Sequence, residues 1–183
     1  MAQISSTPPA TLDELLKVRP IGLDDFADIR SLHATAVRAH TLGALSEEEV
    51  TSFVKLVGSP DYSALLLREE LYGGWIDGEL VGTVSWHAGG STGATATISG
   101  IFVRHIKLGI GRRLLAEAET RAHRSGFDLL SAGATANAVP FFQRLGYEKV
   151  SRGVRTLTHD CRLPVTFLRK RLPPGRPAHA PLN

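Results

Sequence analysis

The spacing of apolar residues changes near residue 70, and this change constrains the fold more than any other feature of the sequence. Before it, "LDDFADIRSLHATAVRAH" and "SEEEVTSFVKLV" carry apolar residues at helical spacing, and "DYSALLLREE" predicts a short third helix. After it, "LYGGWIDGELVGTVSWH" predicts two strands joined at Asp77-Gly78, a strong hairpin signal, and "TATISGIFV" predicts a third. The chain therefore combines helices with an antiparallel sheet.

The remaining segments complete a mixed arrangement. "LLKVRPIG" predicts a first strand, and "GRRLLAEAETRAHRSG" predicts a helix that ends at Gly126. "FDLLSAG" predicts a strand, "NAVPFFQRLG" a short helix, and "YEKVSRGVRTLT" and "VTFLRKRL" two final strands. This order predicts an α/β (α+β) fold with a mostly antiparallel sheet of six to seven strands flanked by helices.

The length of 183 residues fits one domain, which we expect to span residues 14–172. Prolines cluster near both ends, so we expect residues 1–13 and 173–183 to be flexible tails. No apolar run reaches the roughly 18 residues of a membrane helix, and the N-terminus lacks the pattern of a secretory signal. We therefore expect a cytoplasmic protein that does not enter a membrane.

Charge and metal-ligand spacing argue against several other classes. The net charge is only +3, and the basic cluster "FLRKRL" is typical of a solvated strand edge, so we expect no nucleic-acid partner. The single cysteine, Cys161, excludes an internal disulfide framework and a Cys-rich zinc site. HxH, HExxH and CxxC spacings are missing, so we expect no metal.

The segment "KLGIGRRLL" places Gly109 and Gly111 at the expected start of the long central helix. The first turn of a helix has unpaired N–H groups and a partial positive charge, so residues 108 to 112 could hold a phosphate. Arg112 and Arg113 would add cationic side chains. Alternatively, the two glycines only tighten a turn; neither G-x-G-x-x-G nor a P-loop is present.

Two motifs together resemble the GNAT superfamily of acyl-CoA-dependent N-acetyltransferases. Val103, Gly109, Gly111 and Leu114 match its strand–loop–helix signature. "AVPFFQRLGY", about 35 residues later, matches its second motif, and its Phe-Phe pair resembles a bacterial subgroup. The resemblance spans about residues 18–172 and implies the GNAT fold, with a sheet that splays between its fourth and fifth strands.

The resemblance also implies a ligand, acetyl-CoA, and a reaction with a small-molecule or peptide amine. The diphosphate would contact Leu108, Gly109, Ile110, Gly111 and Arg112, with Arg113 beside it. The pantetheine would follow Ile101, Phe102 and Val103, and a backbone N–H of Phe102 or Val103 would bind the thioester carbonyl. Asn137 and Phe142 would lie near the cofactor, although Asn137 could instead cap its helix and Phe142 could belong to the core.

Two residues depart from the family pattern. Ile106 stands where relatives carry Gln or Arg, in a loop about two residues shorter than usual, so Lys107 or Arg112 would have to replace that contact. Phe142 stands where many relatives have a tyrosine that protonates the leaving thiolate, and Tyr147 is expected to pack as the first residue of a strand. A thiolate is a tolerable leaving group, so the reaction does not require a strong acid.

The general base has to come from elsewhere, since the fourth strand carries no carboxylate. His87, at the end of the third strand, is the first candidate, and the alternative is a partly exposed histidine without a role. His33, His40 and His105 are weaker candidates. Trp75 and Trp86 could face the acceptor, but core packing is the default for both.

Three functions therefore remain open from the sequence. The first is an N-acetyltransferase that joins acetyl-CoA to a primary amine. The second is a non-catalytic sensor of the same fold that binds CoA or another phosphate ligand, which the missing acid and base residues favour. The third is a basic nucleic-acid-binding protein. The final strand could also pair between subunits in a homodimer.

Overall fold

The computed structural model describes residues 10–90 and 93–173. Most of both predicted tails lies outside these ranges. Within them the chain forms six α-helices and seven strands, in this order: α1 (Leu12–Leu15), β1 (Lys17–Pro20), α2 (Phe26–His40), α3 (Glu47–Val57), α4 (Pro60–Leu66), β2 (Glu70–Ile76), β3 (Glu79–Gly89), β4 (Thr95–Val103), α5 (Ile110–Arg124), β5 (Leu129–Ala134), α6 (Val139–Arg144), β6 (Glu148–Thr158) and β7 (Cys161–Arg171). No helix in these ranges is long and apolar enough to cross a bilayer.

The seven strands form one sheet in the order β1-β2-β3-β4-β5-β7-β6. Every neighbouring pair is antiparallel except β4 and β5, which pair in parallel from Thr95↔Leu129 to Ile98↔Ala132. Beyond that point β4 continues to Val103 without β5 beside it. The sheet therefore opens between its fourth and fifth strands, which confirms the predicted fold class.

Two backbone features shape the central strands. Asp77 and Gly78 have φ values of 50° and 83° in the β2–β3 turn, the left-handed geometry that favours Asp-Gly in hairpins. Thr83 and Ser85 of β3 pair with Phe102 and Ser99 of β4, so β4 contains one extra residue at this point. Gly100 lies in this bulge with φ 60°, and a Cβ would come 2.6 Å from Ser85 Oγ. Only glycine fits this bulge.

Helices cover both faces of the sheet. On one face α5 packs Leu114, Leu115 and Ala118 onto Val84 and Ile98, all of them fully buried. On the other face, α2, α3 and α4 form a second apolar cluster over the first strands. The predicted helix faces are therefore the ones that are buried.

The final hairpin differs from the prediction. β7 begins at Cys161 rather than at Val165, because Pro164 does not interrupt the strand. β5 pairs with β7 only from Thr166 onward, so β6 is the one strand beside this proline, and no hydrogen bond to β5 is needed there. β7 lies between β5 and β6, so β6 rather than the final strand is the edge strand of the sheet, and a homodimer stays a prediction. Helix α1 was not predicted.

Candidate active site

A cleft of about 960 Å³ runs through the opening between β4 and β5. One end is lined by the loop before α5, the first turn of α5, and α6. The other end lies beneath α2, α3 and α4 and reaches β6 and β7. The opening in the sheet thus joins two chemically different ends of one cavity.

The first turn of α5 presents unpaired backbone donors to this cleft. The first bond inside the helix runs from Arg113 N–H to Gly109 O at 3.0 Å, so the N–H groups of Ile110, Gly111 and Arg112 have no acceptor within the helix. The helix dipole adds partial positive charge at this end of a 15-residue helix. An anion is therefore favoured here.

The two glycines of this turn serve different purposes. Gly109 caps α5 with φ 84°, a left-handed conformation, and a Cβ would lie 3.2 Å from Leu12 Cδ2. Gly111 has no left-handed φ, and a Cβ there would meet Phe141 and Val103 only at 3.5 to 3.7 Å, which is ordinary contact. The turn explains Gly109, whereas nothing in the protein's own packing requires Gly111 to lack a side chain.

The predicted cations divide into two groups. Lys107 and Arg112 line the cleft, as does Arg144 from α6. Arg113 does not: its guanidinium pairs with Asp13 at 3.2 Å and with Glu117 at 3.6 Å. Leu108 is 60% exposed and is likewise not part of the lining.

At the opening of the sheet, the direction of the backbone amides near the end of β4 follows from the hydrogen bonds to β3. Arg104 N–H donates to Val81 O at 2.8 Å, towards β3. Successive N–H groups along a strand point to opposite sides, so Phe102 N–H faces away from the opening and Val103 N–H faces into it. Of the two amides in question, Val103 N–H has the suitable direction. The ring of Phe102 stacks on His33 with 4.0 Å between centroids.

The opposite end of the cleft contains a carboxylate that the sequence analysis did not identify. Glu69 lies between α4 and β2, with its side chain 18% exposed. Its Oε2 accepts hydrogen bonds from the hydroxyls of Ser85 and Ser99, the latter at 2.8 Å. Its Oε1 lies 3.4 Å from His87 Nδ1 and 3.6 Å from Arg155 Nη2. We call Glu69, Ser85, His87, Ser99 and Arg155 the acidic cluster.

Glu69 is held in its ionised form. Burial by itself raises the pKa of this carboxyl, but hydrogen bonding from His87, Ser85 and Ser99, together with the charge of Arg155, outweighs burial and lowers the pKa. The fourth strand carries no carboxylate, and Glu69 comes instead from the junction between α4 and β2. Its only local sequence signal is the pair Glu69-Glu70 at the start of β2.

The histidine candidates occupy distinct environments. His87 lines the cleft within the acidic cluster, with its side chain 36% exposed. His33 is fully buried, and burial lowers the pKa of its imidazole to about 3. His40 and His105 also line the cleft, and His40 Nε2 lies 3.3 Å from Arg104 O. Of the four, His87 alone adjoins the carboxylate.

The second motif contributes rings to the cleft and no hydroxyl. Phe141 and Phe142 both line it and pack edge to face, with centroids 5.3 Å apart. Tyr147 is buried in the core as expected and is not part of the lining. Asn137 lines the cleft, but it does not cap α6: its amide nitrogen donates to His40 O at 2.6 Å, which corrects that expectation.

Most of the predicted cofactor residues meet in this cleft. Those that line it are Ile101, Phe102, Val103, Gly109, Ile110, Gly111, Arg112, Asn137 and Phe142. Trp75 and Trp86 do not line it, and Trp86 packs on Phe127 in the core. Cys161 is buried at the start of β7. Residues 10–90 and 93–173 contain no cluster of three side chains suited to a metal ion.

Comparison with known families agrees with this geometry. The family described as the acetyltransferase (GNAT) domain matches residues 41–158, which include β2 to β5, α5 and the acidic cluster. The chain belongs to the GNAT acetyltransferase family. No curated protein matches it.

Solved structures show the same fold at low sequence identity. A GCN5-related N-acetyltransferase from Rhodopseudomonas palustris is 21% identical with a TM-score of 0.75, over 86% of this chain and 96% of that one. PaiA N-acetyltransferase from Thermoplasma acidophilum, in complex with coenzyme A, is 18% identical with a TM-score of 0.65, over 85% and 98%. YncA from Salmonella typhimurium, solved with its cofactor acetyl-CoA, is 21% identical with a TM-score of 0.59, over 92% of this chain and 98% of that one.

Proposed function

We propose that this protein transfers the acetyl group of acetyl-CoA directly to a primary amine. One observation carries the proposal: unpaired amides at the start of α5 and the acidic cluster line the same cleft, on either side of the opening in the sheet. An anionic cosubstrate and an amine can therefore bind at opposite ends and meet at the opening. That PaiA binds coenzyme A and YncA acetyl-CoA supports this cosubstrate.

The cosubstrate would occupy the α5 end. Its diphosphate would rest on the N–H groups of Ile110, Gly111 and Arg112, with Lys107, Arg112 and Arg144 supplying cations. These cations would stand in for the side chain that Ile106 lacks. The thioester carbonyl would accept a hydrogen bond from Val103 N–H, which would stabilise negative charge on that oxygen during attack.

The acidic cluster would prepare the amine. Glu69 would bind the incoming ammonium group, and His87 would accept a proton from it. The free amine nitrogen would attack the carbonyl carbon, so that a C–N bond forms and the C–S bond breaks. As the C–S bond breaks, the nitrogen would release its second proton to solvent, and the departing thiolate of CoA would take a proton from solvent, since Phe142 cannot donate one.

A non-catalytic sensor is the second candidate, and one observation favours it. Phe142 replaces the usual acid, and Tyr147 is buried in the core, so neither supplies a hydroxyl to the cleft. Thiol release from acetyl-CoA with a panel of primary amines separates the two functions. Turnover supports the enzyme, whereas CoA binding without turnover supports the sensor. The cytoplasmic location and the Phe-Phe subgroup stay predictions.

A further inference from the structure

The two oxygens of the Glu69 carboxylate differ in how fully they are used. Oε2 is engaged by the hydroxyls of both Ser85 and Ser99. Oε1 has two neighbours, His87 Nδ1 at 3.4 Å and Arg155 Nη2 at 3.6 Å, and both distances exceed those of a strong charged hydrogen bond. Oε1 therefore keeps capacity to accept hydrogen bonds from a ligand in the cleft.

Two arginines supply positive charge at this end of the cleft. Arg155 lines the cleft with its side chain 30% exposed, and Glu69 is its ion-pair partner. Arg68 lines the same cleft, and its guanidinium makes no hydrogen bond or ion pair with the described residues, although its backbone N–H donates to Leu65 O at 3.2 Å. A guanidinium presents several N–H donors in a planar fork that matches a carboxylate. Both arginines thus have donors left for an anion.

Charge balance disfavours a simple amine at this end. Glu69 is the only carboxylate among the described lining residues; Arg155 pairs with it, and Arg68, the preceding residue, also lines the cleft. An alkylammonium bound at Oε1 would carry its charge next to the Arg155 guanidinium, only 3.6 Å from that oxygen. A ligand that also brings a negative group would offset this repulsion.

An α-amino acid has the matching charge pattern, because its ammonium and carboxylate are attached to the same carbon atom. The ammonium can meet Glu69 Oε1 while the carboxylate meets Arg155, whose two charges lie side by side in the cleft. Apolar side chains also line the cleft. They come from α3, α4, β6 and β7: Phe53, Leu65, Leu66, Leu157, Leu163 and Val165.

We infer that the amine acceptor is an α-amino acid with an apolar side chain, bound through its zwitterion to the Glu69–Arg155 pair. This inference rests on the proposed function, since it names the acceptor of that same site. Arg155 is the specificity-determining residue: it recognises the carboxylate, which takes no part in the acetyl transfer.

The test compares amino acids with the amines that remain when their carboxylate is removed. Thiol release from acetyl-CoA is measured with L-leucine and 3-methylbutylamine, and with L-phenylalanine and phenethylamine. We expect kcat/KM for each amino acid to exceed that of its partner amine at least about tenfold, which corresponds to one charged hydrogen-bonding contact. Equal rates, or faster reaction of the simple amines, would overturn the inference.

Substitution at position 155 shows whether this residue causes the preference. In Arg155→Gln the ratio of leucine to 3-methylbutylamine should fall to about one, and in Arg155→Lys it should be intermediate, because charge remains without the fork. Arg152→Gln is the matched control: it lies on the same strand, is exposed, and does not line the cleft. A ratio that survives in Arg155→Gln, or that falls equally in Arg152→Gln, would contradict the assignment.

A binding measurement separates failure of the inference from failure of the proposed function. Calorimetry is done on protein saturated with CoA, with N-acetyl-L-leucine and N-(3-methylbutyl)acetamide as ligands. We expect the carboxylate-bearing compound to bind about tenfold more tightly, and Arg155→Gln to remove that advantage. If CoA itself does not bind, the proposed function fails. If CoA binds and the carboxylate gives no advantage, the inference alone is overturned.

Discussion

His33 Nε2 lies 2.7 Å from Thr83 Oγ1 in the interior, and the Thr83 hydroxyl in turn donates to Gly100 O at 2.8 Å. Because the Thr83 hydroxyl donates its proton to Gly100 O, it can only accept from His33, so His33 Nε2 must be protonated and act as the donor. His33 Nδ1 is then the acceptor for the Tyr62 hydroxyl at 2.5 Å. A chain of directed hydrogen bonds thus joins α4 and α2 to the bulge in β4.

This chain predicts a pH dependence of stability. Burial lowers the pKa of His33 from 6.5 to about 3. Between these two pH values, His33 is protonated in the unfolded chain but not in the folded chain. The free energy of unfolding should therefore fall as pH drops from 6.5 towards 3, with His33 contributing about 1.4 kcal/mol per pH unit. Urea titrations of the wild type and His33→Gln at several pH values measure this slope.

The variant should lose that part of the slope while keeping the contribution of the carboxylates. Parallel curves for the two proteins between pH 6 and pH 4 would show that His33 accepts its proton as readily in the folded state. The burial assigned to His33 would then be wrong.

Thr83 provides a second test of the same chain. Thr83→Val preserves the shape of a fully buried residue but leaves His33 Nε2 and Gly100 O without a partner, which should cost about 2 kcal/mol of unfolding free energy. Thr83→Ser keeps the hydroxyl and should lose clearly less. Thermal or urea denaturation measures both, and equal losses would mean that the hydroxyl bonds contribute nothing.

The two glycines before α5 should respond differently to substitution by alanine. Gly111→Ala meets no clash and lies in the first turn of a helix, so stability should be preserved while the dissociation constant for CoA rises about tenfold. Gly109→Ala forces alanine into φ 84° and should destabilise the fold by about 1–2 kcal/mol. Calorimetry with CoA and thermal denaturation separate the effects. Undiminished CoA affinity in Gly111→Ala would place the diphosphate elsewhere.

Glu69→Gln tests the acidic cluster. The amide is isosteric but cannot hold an ammonium group, so we expect turnover to fall about 100-fold with CoA affinity unchanged. Because the pKa of Glu69 is lowered, the wild type should keep this carboxylate ionised at pH values where an ordinary glutamate begins to protonate. Glu70→Gln is the control, since Glu70 accepts a bond from Tyr72 and does not line the cleft. Similar rate losses in both variants would remove Glu69 from the site.

Local patterns in the sequence predicted the parts of the fold that depend on neighbouring residues. The hairpin at Asp77-Gly78, the helix stop at Gly126 and the bounds of β4 all follow from turn chemistry and apolar spacing. The start of β7 did not, because whether Pro164 interrupts a strand depends on where β5 ends. That is a property of the assembled sheet.

In the candidate site, too, the sequence predicted the features formed by consecutive residues and missed those formed by distant ones. The first turn of α5 could be predicted because consecutive residues form it. Glu69 could not, because its role depends on Ser85 and Ser99 from two other strands and on Arg155 from a fourth segment far along the chain. The helix cap considered for Asn137 was wrong, because its actual partner, His40 O, belongs to a distant helix.

A crystal structure with acetyl-CoA tests the central claim most directly. We predict that the diphosphate lies on the N–H groups of Ile110, Gly111 and Arg112, and that the thioester carbonyl accepts from Val103 N–H with Glu69 on the far side of the opening. A nucleotide bound at another surface, or no binding at millimolar concentration, would contradict it.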